Sequence, residues 1–218
     1  MTDFKVRFQT SLTLLVIFFV CLAIGDKAIS LFLFAIGAFS FMEMLKIIKA
    51  VKSPNKVFKV VLISSLLLIT YYEGVASLLQ YDDFVYFIVI IMGSIAAADT
   101  GAYFAGKKLG DKFILKLAPS ISPNKTVIGA LGGLIAGGLI FTLTMYTLYD
   151  YSLGRILALG FLLVASSIIG DLLQSYCKRC AGLDDSGSLL KGHGGVWDRF
   201  DSHILAIPVF AFLLSMIL

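Results

Sequence analysis

The stretch VIGALGGLIAGGLIFTLTMYTL, residues 127–148, contains no charged side chain. A helix needs about 20 mostly apolar residues to cross the hydrocarbon core of a bilayer, so this stretch predicts a transmembrane helix. Gly129, Gly133 and Gly137 recur within it at every fourth position. Small residues at this spacing let helix backbones approach closely, so the same stretch also predicts a tightly packed face.

The remainder of the chain is almost as apolar. Its 218 residues are 59% hydrophobic and 15% charged, with a mean hydropathy of +0.94, whereas a soluble domain has about 45–50% apolar and about 25% charged residues. We therefore expect an all-α fold, a polytopic integral membrane bundle of about seven helices, and exclude a separate soluble domain. The predicted spans are residues 8–25, 28–48, 58–79, 83–105, 127–148, 154–176 and 202–218.

Basic residues predict which helix ends face the cytoplasm. Lysine and arginine concentrate in cytoplasmic loops. With a cytoplasmic N-terminus, all of the 18 lysine and arginine residues except Lys27 and Arg155 fall on the cytoplasmic side. A bacterial inner membrane is the expected location. We divide the chain into three N-terminal spans, residues 1–90, and a second transmembrane region, residues 91–218, which has cytoplasmic loops 106–126 and 177–201 and is expected to hold the functional residues.

Two aspartates lie where an apolar span should exclude them. Asp99 and Asp171 are each about seven residues inside a predicted span, counted from its cytoplasmic end. An acid inside the membrane costs about 2.5–3.5 kcal/mol and by default faces the bundle interior with a partner. Serine or backbone groups at a helix contact could satisfy each acid. Their matching depth of about 10 Å instead favours a shared polar cavity under the basic loops.

The sixth span and the loop after it carry residue types that bind phosphate and metal. One face of the sixth helix is predicted to present Asp171, Ser175, Lys178 and Arg179. Further on, Gly194 and Gly195 allow backbone N–H groups to approach a bulky anion, and Asp198 and Asp201 can both reach one site if the last helix begins there. Carboxylate oxygens are ligands that Mg²⁺ selects. His193 is either a structural histidine or a group for phosphate contact or proton transfer.

The segment SPNKT, residues 122–126, predicts the start of the fifth helix. Ser122 as N-cap followed by Pro123 at the first helical position is a helix-start signal. The free N–H groups at such a helix end attract anions, and Lys125 adds a full positive charge. A plain capped helix is the alternative. Together with the other basic loop residues, this segment favours a phosphate-rich ligand.

These motifs together resemble a known family. The stretch from Ser175 to Asp201, with CKRC at 177–180 and HGGVWDRFD at 193–201, resembles the signature of phosphatidate cytidylyltransferases. DTGAYFAG at 99–106, SPNKT at 122–126 and GDL at 170–172 are similar to bacterial members of that family. The resemblance covers residues 94 to 203, while the N-terminal spans match only as generic membrane helices.

The resemblance implies a reaction in which CTP and phosphatidate give CDP-diacylglycerol and pyrophosphate, with Mg²⁺ required. It implies that Asp171 and Asp198 hold the Mg²⁺, and it leaves open whether K⁺ binds as well. The expected catalytic residues are Asp171, Asp198, Lys178, Arg179 and His193. The expected substrate contacts are Ser122, Asn124, Lys125, Thr126, Ser175, Gly194, Gly195, Arg199, Asp99 and Asp201. Membrane lipids are expected partners, nucleic acid is not, and a homodimer is left open.

Two positions depart from the family pattern. Asp184 stands where the signature has lysine, and this reverses a charge beside the expected phosphate site. Lys191 stands two positions before His193, where the family pattern has proline or glycine, and its positive charge partly restores the charge of the loop. We expect the first change to affect substrate affinity and the net change in the loop to be modest.

Other functions remain in competition. A transporter or channel would use Asp99 and Asp171 as ion or proton sites. It would need polar groups continuing to the far side, and spans one to three show none. Another lipid cytidylyl or phosphoryl transferase, such as a polyprenol kinase-like enzyme, is a nearer alternative.

The two cysteines of the sixth span do not predict a zinc site. Cys177 and Cys180 lack a second cysteine or histidine pair at zinc-binding spacing.

Overall fold

A computed structural model describes residues 2–109, 115–190 and 192–216. Seven helices lie in these ranges: α1 (Thr2–Ile24), α2 (Asp26–Ala50), α3 (Pro54–Leu78), α4 (Phe84–Leu109), α5 (Val127–Leu148), α6 (Leu153–Ala181) and α7 (Trp197–Ser215). The first six are long and apolar enough to cross a membrane. The prediction of an all-α integral membrane protein is confirmed.

The seventh predicted span differs most from its prediction. The helix α7 begins at Trp197, five residues before the predicted start at residue 202, and it contains Pro208. It is not among the helices whose length and hydropathy suffice to cross a membrane. Its first turn carries Asp198. The end of the polar signature, from Trp197 onward, is therefore helical. In the sequence analysis, this helix start is named only as the condition under which Asp198 and Asp201 can reach one site.

A small sheet precedes α5 and corrects one prediction. Strand β1 (Lys116–Ala118) pairs antiparallel with β2 (Ser122–Thr126). The prediction that Ser122 caps the fifth helix and Pro123 opens it is wrong, because both residues lie in β2. The helix begins at Val127, where Thr126 is the N-cap and its Oγ1 accepts a hydrogen bond from the Gly129 N–H at 3.1 Å.

Replacing the N-cap tests the corrected start of α5. Thr126→Ala removes the acceptor of the Gly129 N–H, and such caps contribute about 0.5–2 kcal/mol. We expect a lower thermal unfolding temperature in detergent. Thr147→Ala is the matched control, because Thr147 is exposed near the other end of the same helix. An equal effect of the two substitutions would contradict the N-cap assignment.

The chain divides into two compact units. Unit 1 comprises residues 1–85 and 176–201, and unit 2 comprises residues 86–175 and 202–218. The division falls within α6 and within α7, so each of these helices contributes residues to both units. The division predicted from sequence, at residue 90, stays a prediction.

The core of unit 1 includes the contact between α2 and α3. Ile29, Leu33 and Val75 are fully or almost fully buried. The buried Tyr71 hydroxyl donates a 2.9 Å hydrogen bond to the Leu33 carbonyl oxygen, so the polar end of this side chain is satisfied inside the bundle. This packing supports α2, which carries a residue of the candidate site.

The core of unit 2 rests on small residues. A Cβ atom added at Gly133 would lie 2.8 Å from the Ala98 carbonyl oxygen, and one at Gly101 would lie 2.8 Å from the Gly132 carbonyl oxygen. The glycine stripe of α5 therefore packs directly against α4, as the spacing of the stripe predicts. Both helices line one cavity, to which α5 contributes small residues and α4 contributes the polar residue Asp99.

Candidate active site

Unit 2 contains a cavity of about 510 Å³. Helix α4 contributes Asp99 to its lining, α6 contributes Asp171, and β2 contributes Lys125. The other expected substrate contacts that line it are Ser122, Asn124 and Thr126. The expected residues of the fourth span, the sixth span and the loop between the fourth and fifth spans thus meet at one place.

Asp171 is held by two neighbours. Lys125 Nζ forms an ion pair with Asp171 Oδ2, and Ser175 Oγ donates to Oδ1 at 3.3 Å. Both side chains of the ion pair are partly exposed, so they remain accessible from the cavity. The contact with Ser175 shows that these two residues share a helical face, as their spacing predicts. The β-hairpin, rather than a helix start, brings Lys125 to this acid.

Asp99 lies at the same position along its helix as Asp171. Asp99 precedes the last residue of α4, Leu109, by ten residues, and Asp171 precedes Ala181 at the end of α6 by ten residues. Because both helices extend further than predicted, the depth below the helix ends is about 15 Å rather than about 10 Å. Two carboxylates, of Asp99 and Asp171, and two ammonium groups, of Lys107 and Lys125, line the cavity. The cavity therefore offers both acid ligands for a cation and positive charge for a phosphate.

In unit 1 the side chain of Asp198 is almost fully buried, with 4% of its surface exposed. Its Oδ1 accepts a 2.7 Å hydrogen bond from Lys178 Nζ. Its Oδ2 accepts hydrogen bonds from the Ser186 N–H and the Gly195 N–H, each at 2.8 Å, and lies 3.0 Å from Ser186 Oγ. These donors fix the orientation of the carboxylate and join α6, the loop and α7.

The glycine-rich segment lines a cleft of about 490 Å³ in unit 1. Gly192 and Gly194 have φ angles of 75° and 80°, which L side chains rarely adopt, so glycine is required at both turns. His193 Nε2 lies 3.1 Å from Ser11 Oγ, and Arg199 Nε donates to the His193 carbonyl oxygen at 3.1 Å. Arg199 therefore supports the turn as well as lining the cleft.

Arg179 contacts one of the two departures from the family pattern. Its guanidinium forms an ion pair with Asp184 and donates to the Leu183 carbonyl oxygen at 3.0 Å. The Asp184 side chain is 92% exposed. Asp184 thus neutralises the positive charge of Arg179, the residue that is expected to bind phosphate. Lys191, the other departure, lies outside the described residues.

Sequence reasoning missed Glu43 of α2. The residue is 3% exposed, and its Oε1 accepts a hydrogen bond from the Val196 N–H at 2.9 Å. Its Oε2 accepts from the Trp197 N–H at 2.9 Å and from Ser186 Oγ at 2.6 Å. Glu43 lies near the end of the second predicted span, and no role was predicted for it from sequence. The signal was available, since an acid inside an apolar run by default has a partner.

The acids described above fit magnesium by the chemistry of their donor atoms. Mg²⁺ is usually bound by one or two carboxylates together with substrate phosphates and water, without an all-protein cage. The described ranges contain no group of three or more His, Cys, Asp or Glu side chains that could hold a metal ion. Asp171 faces a cavity large enough for phosphate groups. The assignment of Asp171 and Asp198 to one metal joins residues of the two units and stays a prediction.

Comparison with known proteins places the chain in a family. Residues 79–217 match the model of the cytidylyltransferase family. The chain belongs to this family. The match covers both acids of the predicted metal site, the β-hairpin and the glycine-rich segment, but not α2 with Glu43.

Individual relatives agree with this assignment. The chain is 45% identical over 151 residues to a phosphatidate cytidylyltransferase of Pseudomonas aeruginosa, which covers 68% of this chain and 55% of that protein. It is 40% identical over 146 residues to the protein of that name from Staphylococcus aureus, covering 66% of this chain and 52% of the relative. A Bacillus subtilis protein of the same name is 28% identical, with 99% of both chains covered. The chain thus spans about half the length of the first and second of these relatives.

Proposed function

We propose that this protein transfers the cytidylyl group of CTP to phosphatidate, giving CDP-diacylglycerol and pyrophosphate. The observation that carries the proposal is the unit 2 cavity, in which Asp99, Asp171 and Lys125 meet within a chain of the cytidylyltransferase family. Its relatives named phosphatidate cytidylyltransferase supply the substrate class. The predicted orientation places the reaction at the cytoplasmic side of a bacterial inner membrane.

The reaction needs no nucleophile from the protein. An oxygen of the phosphatidate phosphate attacks the α-phosphorus of CTP, a new P–O bond forms, and the bond to the leaving pyrophosphate breaks. The phosphatidate phosphate is already an anion at neutral pH. Catalysis of such transfers depends on positioning and on neutralising charge, which cationic side chains and bound metal supply.

In this mechanism the residues of unit 2 hold the reacting phosphates. Lys125 exchanges part of its contact with Asp171 for a phosphate oxygen, and Asn124 and Ser122 donate from β2. Asp171 is the residue of this cavity that would hold the metal. A bound Mg²⁺ would supply positive charge that offsets the negative charge of the reacting phosphates and of the leaving pyrophosphate.

The residues of unit 1 have a parallel role. Lys178, Arg179 and Arg199 are the proposed cations for phosphate oxygens, and the turns at Gly192 and Gly194 give an anion access to the segment. The Gly195 N–H is held by Asp198. His193 is placed by its backbone N–H, which donates to the Leu190 carbonyl oxygen at 2.8 Å. In this proposal Asp198 would hold the metal and Asp201 would contact substrate.

A transfer assay tests the proposed function. The purified full chain in detergent receives labelled CTP, phosphatidate and Mg²⁺, and we expect a lipid-soluble CDP product that depends on all three. Folded protein that forms no such product with phosphatidate or any other lipid phosphate would contradict the proposal. In that case, uptake of ions into vesicles through the Asp99 and Asp171 cavity would favour the transporter reading.

The Asp184 departure gives a separate prediction. Asp184→Lys installs the residue of the family pattern and releases Arg179 from its ion pair. Because exposed pairs contribute about 0–1 kcal/mol, we expect little change in the unfolding temperature. We expect the KM for CTP to fall several-fold, since two cations then face the phosphates. An unchanged KM would show that Arg179 does not contact the nucleotide.

A further inference from the structure

Glu43 lies at the start of α7 although it belongs to α2. Its carboxylate accepts hydrogen bonds from the N–H groups of Val196 and Trp197, which are at the N-terminus of α7. These N–H groups have no partner within the helix, and the positive end of the helix dipole favours a negative charge there. Glu43 therefore fixes the position at which α7 begins.

Ser186 connects Glu43 to Asp198. Its hydroxyl lies 2.6 Å from Glu43 Oε2 and 3.0 Å from Asp198 Oδ2, and its N–H donates to the same Asp198 oxygen at 2.8 Å. A hydroxyl has one proton and donates to one acceptor at a time. The shorter distance favours donation to Glu43, which leaves the backbone N–H to hold Asp198.

The surroundings of Glu43 leave no space for a different arrangement. A Cβ atom at Gly187 would lie 2.7 Å from Glu43 Oε1, and one at Gly195 would overlap Glu43 Oε2 and Ser186 Oγ. The two glycines thus let the loop close around the carboxylate. This explains why glycine stands at these positions although neither has a positive φ angle.

We infer that Glu43 is a positioning residue, which holds Ser186 and the first turn of α7 so that Asp198 is oriented for the reaction. The inference rests on the proposed function. Glu43 is buried and is not among the residues lining the cleft, so it acts through Ser186 and the α7 N-terminus rather than by touching substrate. Helix α2, which lies outside the residues 79–217 that match the family model, thereby contributes a positioning residue to the candidate site.

Glu43→Gln tests this inference in the full chain. Val196 N–H and Trp197 N–H can only donate, so the amide NH₂ of glutamine faces at least one of them as a second donor. We expect amide hydrogen exchange to rise at least tenfold in residues 186–197. We also expect the Mg²⁺ concentration for half-maximal activity to rise about 10–100-fold, the usual effect of losing a group that orients a metal ligand.

The second glutamate of the sequence provides the matched control. Glu73 is exposed on α3, and Glu73→Gln is expected to leave both measurements unchanged. Should Glu43→Gln fail to fold, Ser186→Ala removes the connecting hydroxyl alone and is expected to shift the Mg²⁺ requirement in the same direction.

Two results would overturn the inference. One is an amide hydrogen exchange rate in residues 186–197 of Glu43→Gln that equals the wild-type rate. If Glu43→Gln does not fold, the corresponding result is an unchanged Mg²⁺ requirement in Ser186→Ala. The other is a general rise of exchange across all helices with an unchanged Mg²⁺ requirement, which would indicate a role in overall stability only. If the wild-type protein makes no CDP-lipid, the proposed function fails, and the exchange measurement still decides whether Glu43 fixes the segment.

Discussion

Asp171→Asn is expected to lower the rate of cytidylyl transfer by about 10²–10³-fold while the protein remains folded. The substitution removes the negative charge that pairs with Lys125 at the cavity and that is proposed to bind Mg²⁺. Losses of this size are typical when one electrostatic contact to a developing charge is removed. The measurement is kcat with saturating CTP and phosphatidate, normalised to folded protein.

The control for this substitution is Asp150→Asn. Asp150 is exposed after the end of α5, so the same chemical change there is expected to leave kcat unaltered. Equal unfolding temperatures of the two variants would show that the loss at Asp171 is not a loss of fold. More than a tenth of wild-type activity in Asp171→Asn would contradict the role assigned to this acid.

Gly137→Val is expected to have the largest effect on folding. A Cβ atom at Gly137 would lie 2.7 Å from the Ser94 carbonyl oxygen and 2.8 Å from both Ala98 Cβ and Val164 Cγ2. Overpacking of this kind costs about 1–3 kcal/mol, and a backbone neighbour cannot move aside as a side chain can. We expect a large fall in the unfolding temperature and a low yield of monodisperse protein.

Gly93→Val separates this steric effect from helix propensity. Gly93 lies within α4, and a Cβ atom added there meets no other atom within 4 Å. Valine has the same helix propensity at both positions, so only the contact differs. A similar loss of stability in the two variants would contradict the packing of the glycine stripe against α4.

The positions of the helices follow from sequence because charged and turn-forming residues interrupt each apolar run. Gly25, whose φ of 105° is in the left-handed region, separates α1 from α2, and Pro54 opens α3. The shared helical face of Asp171 and Ser175 likewise follows from helix periodicity. These features depend on residues close together in the chain.

The features that sequence reasoning missed depend on distant residues. Ser122 and Pro123 suit a helix start, but they also suit an extended strand, and pairing with β1 decides between the two. Glu43 finds its partners more than 140 residues away in the chain. A lone acid near the basic end of a span resembles an ordinary loop charge until its partners are known.

The position of the transferred label tests the central claim most directly. The full chain in detergent, with phosphatidate and Mg²⁺, receives CTP labelled with ³²P at either the α- or the γ-phosphorus. We predict that α-label enters the lipid fraction and that γ-label appears as pyrophosphate in water. Transfer of γ-label to the lipid would instead show a lipid kinase, and it would contradict the proposed cytidylyl transfer.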